Sequence, residues 1–190
     1  MSEGTVGAVG PGSEELPGDL EDLGQSIADQ VESFLLAVRE LASAGDSSRA
    51  VSLLLLEVSQ LLLAGARLAA QIDFVPVDTY ETDTGPDPDL DRIRESLAQK
   101  LDGVDDYHEM FDPYEVPPEV VPSRLSDDLA GIAAAVAHGL RHHRAGHLSE
   151  ALWWWQFSYV SSWGAEAGAA LRALQSVVAH DRLDAEQSAP

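Results

Sequence analysis

The sequence predicts an all-α fold, a single bundle of about five helices forming two helical hairpins, with a long irregular Pro/Asp-rich insert. Three observations carry this. Each periodic apolar segment repeats its hydrophobic residues three and four apart, the pattern of one helix face. Gly45, Gly103 and Gly146 close periodic segments, as glycines past helix C-termini do. And 45% of the 190 residues are hydrophobic, enough for one core in a chain of this length.

Residues 1–18 are Gly- and Pro-rich without apolar period and read as a disordered tail, which assigns the bundle to 19–182 and a frayed tail to 183–190. From Asp19, the residues Leu20, Leu23, Ile27, Val31, Phe34, Val38 and Leu41 form one stripe of a first helix, stopped by Gly45. Ser47 or Ser48 can cap a second helix reaching about Ile72. Its apolar residues (Leu53 to Leu56, Val58, Leu61 to Leu63) cover most of the circumference, which predicts a central, buried helix.

Residues 73–88 read as a loop, ended by Asp87 as N-cap and Pro88 in the first turn of a third helix. Leu90, Ile93, Leu97 and Leu101 mark its inner face, and Gly103 ends it. Residues 104–122, with Pro113, Pro117, Pro118 and Pro122, read as irregular, stapled to the helices by Tyr107, Met110, Phe111 and Tyr114; no sheet is expected. Ser126 begins a fourth helix with an acidic first turn (Asp127, Asp128), and Leu125, Leu129, Ile132, Val136 and Leu140 face inward. A fifth helix runs from about Ser149 to His180. The joints at Ala44-Gly45 and Ala145-Gly146 share turn residues, as tetratricopeptide turns do, but lie much further apart than the roughly 34 residues of one such repeat. They read as two hairpins with similar turn chemistry.

Acids number 33 against 11 bases, a net charge of −22. This argues against nucleic-acid binding through a basic surface, because phosphate contacts need Lys or Arg. The absence of cysteine excludes a disulfide scaffold, a thiolate zinc site, an iron–sulfur cluster and a cysteine nucleophile. The first basic residue is Arg39 and glycines interrupt the start, so no signal peptide is expected. Glu57, Gln60 and Arg67 interrupt the longest apolar stretch, so no membrane span and a cytoplasmic location are expected. Residues 73–128 hold 17 of the acids. That concentration reads as a solvated surface, with a basic partner or a nucleic-acid mimic as the sharper alternatives.

Two clusters stand out as candidate sites. His138, His142, His143 and His147 gather near the end of the fourth helix, and His138/His142 have the spacing by which two imidazoles can share a metal. The simpler reading is that Arg141, His142, His143 and Arg144 complement the negative helix terminus, so no specific metal site is expected. Asp87, Asp89 and Asp91 begin like a calcium loop, but Arg92 and Ala98 stand where Gly and Glu are needed. The second cluster is aromatic. Trp153, Trp154 and Trp155 span about 200° of a helix and cannot all face one core. Trp155, Tyr159 and Trp163 form one ridge and Trp153 with Phe157 a second, while Gly164 and Gly168 are expected to admit a neighbouring helix. The ridge predicts Trp155, Tyr159 and Trp163 buried against the second and fourth helices, with Trp153 or Trp154 keeping an exposed edge as an anchor for a ligand or partner. No nucleophile elbow, phosphate loop or dinucleotide fingerprint is present, and no cofactor is expected.

Several segments together resemble a known family: Phe74-Val75-Pro76, Phe111-Asp112-Pro113-Tyr114, Ser126-Asp127-Asp128-Leu129-Ala130, the run from Ala151 to Tyr159 with Trp163-Gly164, and Leu171 through His180. The sequence is similar over most of residues 20–183 to the mainly actinobacterial family called domain of unknown function 5063, departing at Gly131. The resemblance implies a helical cytoplasmic protein and carries no catalytic residues. The function expected is a non-enzymatic protein-interaction module whose aromatic helix and acidic insert meet a protein partner. The alternatives are a small-ligand binder or enzyme with a Trp/Tyr/His-lined pocket, and a nucleic-acid mimic.

Overall fold

The computed structural model describes residues 18–43, 50–76 and 88–187. Residues 1–17 of the tail expected over 1–18, the turn at Gly45, the caps at Ser47, Ser48 and Asp87, and residues 188–190 lie outside these, while Gly18 already begins a helix.

The helices are α1 (Gly18–Ser43), α2 (Ala50–Ala69), α3 (Pro88–Lys100), α4 (Leu125–Arg144), α5 (Leu148–Ser158) and α6 (Gly164–Gln187). A π-helical turn, Tyr159–Trp163, joins the last two, so the predicted fifth helix is one rod in three segments that continues past His180. The all-α bundle stands, with one addition. The insert holds an antiparallel hairpin, β1 (Asp106–Met110) and β2 (Val120–Arg124), where an irregular segment and no sheet are expected. Its inward residues are Tyr107 and Glu109 on β1 and Val121 and Ser123 on β2, three of them polar, so the strands lack an apolar alternation.

α1 packs on α2, α3 and α4, α2 on α1 and α6, and α4 on α3, α5 and α6. The core is built from the predicted stripes. Ile27, Val31, Phe34 and Val38 of α1 and Leu125, Leu129, Ile132 and Val136 of α4 are all buried. Leu54, Val58, Leu61 and Leu68 give α2 one buried face, but Leu53, Leu56 and Leu63 are exposed. α2 is therefore flanked on one side only, and apolar coverage around a helix does not by itself make it central. Val51–Ala69 is also long and apolar enough to cross a membrane by length and composition.

α4 receives its cap from a distance. The N-cap residue Arg124 makes no side-chain cap bond. Instead Asp105, buried ahead of β1, accepts from the Ser126 N–H at 2.8 Å and the Ser126 hydroxyl at 2.9 Å. Arg124 pairs with the same carboxylate at 2.9 Å. These bonds satisfy the first turn of α4 and pin both hairpin strands to its start. The hairpin connection includes a cis peptide at Val116-Pro117. At the other end of the bundle, Gln156 of α5 donates to the carbonyls of Leu68 and Ile72 at 2.9 and 3.2 Å and accepts from the Phe74 N–H at 2.9 Å. It thereby holds the exit from α2.

Candidate functional site

The aromatic helix divides as its geometry demands. Trp155 is fully buried, packs against Gly139 of α4, and donates its indole N–H to the Val136 carbonyl at 2.9 Å. Trp163 is buried and meets Tyr159 edge-on at 4.8 Å, both rings lying against Gly65 of α2. A Cβ at Gly65 or Gly139 would sit within 2.4 Å of these rings, so the close approach is made by the glycines of α2 and α4. Gly164 and Gly168 do not serve that purpose. Gly164 meets the Tyr159 carbonyl of its own chain turn, and Gly168 faces open space.

The π turn keeps the ridge in line. On an α-helix each four-residue step overshoots a full turn by about 40°, so residues eight apart drift by about 80°. The wider turn, in which the Gly164 N–H reaches back to the Tyr159 carbonyl, advances less per residue and cancels most of that drift. The hydroxyls of Ser158, Ser161 and Ser162 each bond the carbonyl four residues back, at 2.6, 2.8 and 3.3 Å, and compete with the regular ladder there.

Trp153 and Trp154 are half-buried. Trp154 donates to the Ala135 carbonyl at 2.9 Å and lies 4.0 Å from the His138 ring. Trp153 stacks on the exposed Phe157 at 5.4 Å. The histidines form a chain of rings along the α4–α5 joint: His138 to His142 at 5.3 Å, His142 to His147 at 6.2 Å, with His143 6.0 Å from Trp155. Among the described residues no three His, Asp or Glu side chains are grouped to hold a metal ion. Arg141 contacts His138 at 2.8 Å and Arg144 pairs with Glu32 of α1 at 2.8 Å. The Arg144 pair ties the basic end of α4 to α1.

The structure also builds a cleft that neither cluster anticipates. It lies between β1 and one face of the π turn and α6, has a volume of about 1230 Å³, and runs from Ser161 of the turn to Asp181 of α6. At 1.5 Å per residue that is about 30 Å of helix. The α6 wall is small (Ala165, Gly168, Ala169, Ser176) and the hairpin wall carries Met110 and Phe111. Met110, Phe111 and Tyr114 are exposed, contrary to the expected staples, and only Tyr107 docks. The hairpin is fixed instead by hydrogen bonds at its base.

Carboxyls gather beside the cleft: Glu109 and Glu166 line it, and Asp128 adjoins it through Tyr107. The Tyr107 hydroxyl donates to Asp128 of α4 at 2.6 Å, and the Ser123 hydroxyl donates to the same carboxylate at 3.2 Å. Burial nevertheless lifts the Asp128 carboxyl to about 6, outweighing those two bonds, with the charges of Glu109 and Asp127 adding to the rise. Burial likewise raises Tyr107. Glu166 of α6 lies over Gly131, where a Cβ would come 3.1 Å from its carboxylate. Its carboxyl is also raised, by burial first and then by Asp128 and Glu109. Tyr107, Asp128 and Glu166 come from three elements far apart in sequence, so no local motif could announce them. Arg172 and His180 line the cleft further along α6.

Residues 19–180 match the family described as Domain of unknown function (DUF5063), and the chain belongs to that family. The fold is similar to the crystal structure of protein BF1032 from Bacteroides fragilis, with a TM-score of 0.65 at 19% identity, covering 80% of this chain and 90% of that one. At that identity the likeness is one of fold. No curated protein matches the sequence.

Proposed function

We propose that this member of the DUF5063 family is a cytoplasmic protein-interaction module, and that the cleft between the hairpin and α6 is its binding face. The observation that carries the reading is the hairpin connection, where Phe111, Tyr114 and Val116 are 74%, 91% and 92% exposed beside the cleft. Clustered exposed aromatics are costly to leave in water and supply most of the affinity at interfaces. The cleft's length favours a chain segment over a small molecule. Trp155 and Trp163 belong to the core, which leaves Phe157 and Val160 as exposed apolar residues of the aromatic rod outside the cleft.

The test compares affinity capture by the wild-type protein with capture by Phe111→Ser/Tyr114→Ser. Both residues are solvent-exposed, so the variant keeps its thermal midpoint. The reading expects a partner bound by the wild type and lost from the variant; undiminished capture by the variant contradicts it. A second reading, a small cationic ligand beside Tyr107, Asp128 and Glu166, is favoured by three carboxyls, Glu109, Asp128 and Glu166, that stand close enough to repel one another. It expects an amine to raise the thermal midpoint of the wild type and not of Asp128→Asn.

A further inference from the structure

The two edges of the hairpin are unlike. The Phe111 N–H donates to the Glu119 carbonyl at 3.2 Å and the Leu125 N–H donates to the Asp105 carbonyl at 2.9 Å. Antiparallel pairs alternate between bonded and unbonded positions. With Asp106 opposite Arg124, His108 opposite Pro122 and Met110 opposite Val120, these three pairs are the unbonded ones. The backbone groups of Asp106, His108 and Met110 therefore point away from β2, and those of Val120, Pro122 and Arg124 point away from β1. Pro122 has no N–H to offer, which blunts the outer edge of β2. β1 carries no such guard, and among the described residues the sheet has no third strand.

It is the unguarded edge that faces the cleft. Residues 106 through 111 all line it, whereas β2 contributes Val120. Asp106, Glu109, Glu166 and Asp181 stand along the same cleft against Arg172. An added strand would meet backbone donors and acceptors on one side and carboxylates from β1 and α6 around it.

We infer that β1 receives an extended, basic segment of a partner protein as a third strand, by main-chain pairing to Asp106, His108 and Met110. Lysine or arginine at alternate positions of the segment reaches Glu109 and Glu166, and the apolar residues between them meet Met110 on the other face. Such strand addition draws affinity from backbone hydrogen bonds and selectivity from alternate side chains. A second copy of this chain is the wrong occupant. It would bring the Asp106 and Glu109 carboxylates of both copies into one short sheet and two chains of charge −22 together. The inference rests on the cleft being the binding face and adds the mode and the charge of what binds.

The test uses the full chain, ¹⁵N-labelled, and an alternating lysine–valine peptide of about nine residues, long enough to span β1. A control peptide of the same sequence has every backbone amide N-methylated, which keeps charge and side chains and removes the donors. The expected result is slowed amide exchange at Asp106, His108 and Met110, and binding roughly tenfold or more tighter than the control, as loss of one or two hydrogen bonds implies. His108→Pro removes an outward N–H without touching a hairpin bond, and is expected to bring binding down to the control level. Equal binding of the two peptides, no added protection at the three amides, or no binding overturns the inference; so does undiminished binding by a folded His108→Pro. If His108→Pro fails to fold, the two peptides on the wild type decide. Concentration-dependent protection of the same amides in the free protein assigns the edge to a second copy and also overturns it. A captured partner that footprints on the cleft while these effects are absent removes strand addition alone; one that footprints elsewhere removes the binding face as well.

Discussion

Asp128 shows how one half-buried carboxyl both holds the hairpin and shapes the protein's response to pH. Its ordinary value of 3.8 rises to about 6, so the folded protein holds that proton more tightly than the unfolded chain does. Across the window from about 4 to 6 the folded state binds more protons. Stability therefore falls as pH rises through that window, and this contribution is level above it. Glu166, raised by the same cause, adds a slope of the same sign. Asp128→Asn still accepts from Tyr107 but cannot titrate. Urea midpoints measured from pH 4 to 7 should fall less steeply with pH for this variant than for the wild type; parallel curves would contradict the account. The tryptophans give a second prediction at this scale. Trp155 loses a fully packed indole and its bond to Val136, so Trp155→Ala should cost about 3–5 kcal/mol. Trp153 is half-buried and stacks on Phe157, so Trp153→Ala should cost about 1 kcal/mol. Equal losses in chemical denaturation would mean that the rod is core on all sides.

Among the elements, the π turn is the one most dependent on a single residue. A Cβ at Gly164 would come 2.5 Å from the Tyr159 carbonyl, which is backbone and cannot move aside cheaply. Gly164→Ala should therefore destabilise the protein by about 1–3 kcal/mol and shift the Tyr159 and Trp163 ring resonances. A stabilised variant, as expected from alanine's helix propensity alone, would show that the turn is not strained by the added methyl. The elements also show what was legible beforehand. α1, α3 and α4 follow from stripes of one-sided burial, and acids mark the first turns of α3 and α4. α2 misleads because leucines surround it while only one face finds partners. The hairpin is hidden because its inner face is Tyr107, Glu109 and Ser123, chosen for hydrogen bonds and a half-buried acid rather than for apolar alternation. The aromatic ridge predicts the burial of Trp155 against α4 and Trp163 against α2, while Tyr159, expected buried with them, is only half-buried. The cleft is illegible because its carboxyls converge only through the packing of the hairpin, α4 and α6.

At the scale of the whole molecule, charge and shape act together. A net charge of −22 repels like-charged molecules and attracts basic ones at long range, most strongly at low ionic strength. Exposed apolar side chains offer such a partner several landing places: the hairpin tip beside the cleft, Phe157 and Val160 of the aromatic rod, and the leucines Leu36 of α1 and Leu53, Leu56 and Leu63 of α2. Only the first combines apolar surface with raised carboxyls and an unpaired strand edge. The measurement that separates them is a hydrogen-exchange footprint of the intact chain bound to its captured partner. Protection gained over residues 106–111 and 161–181, with α2 unchanged, is the result predicted. Protection confined to residues 36–63, with the hairpin and α6 exchanging as in the free protein, would contradict the assignment of the cleft as the binding face.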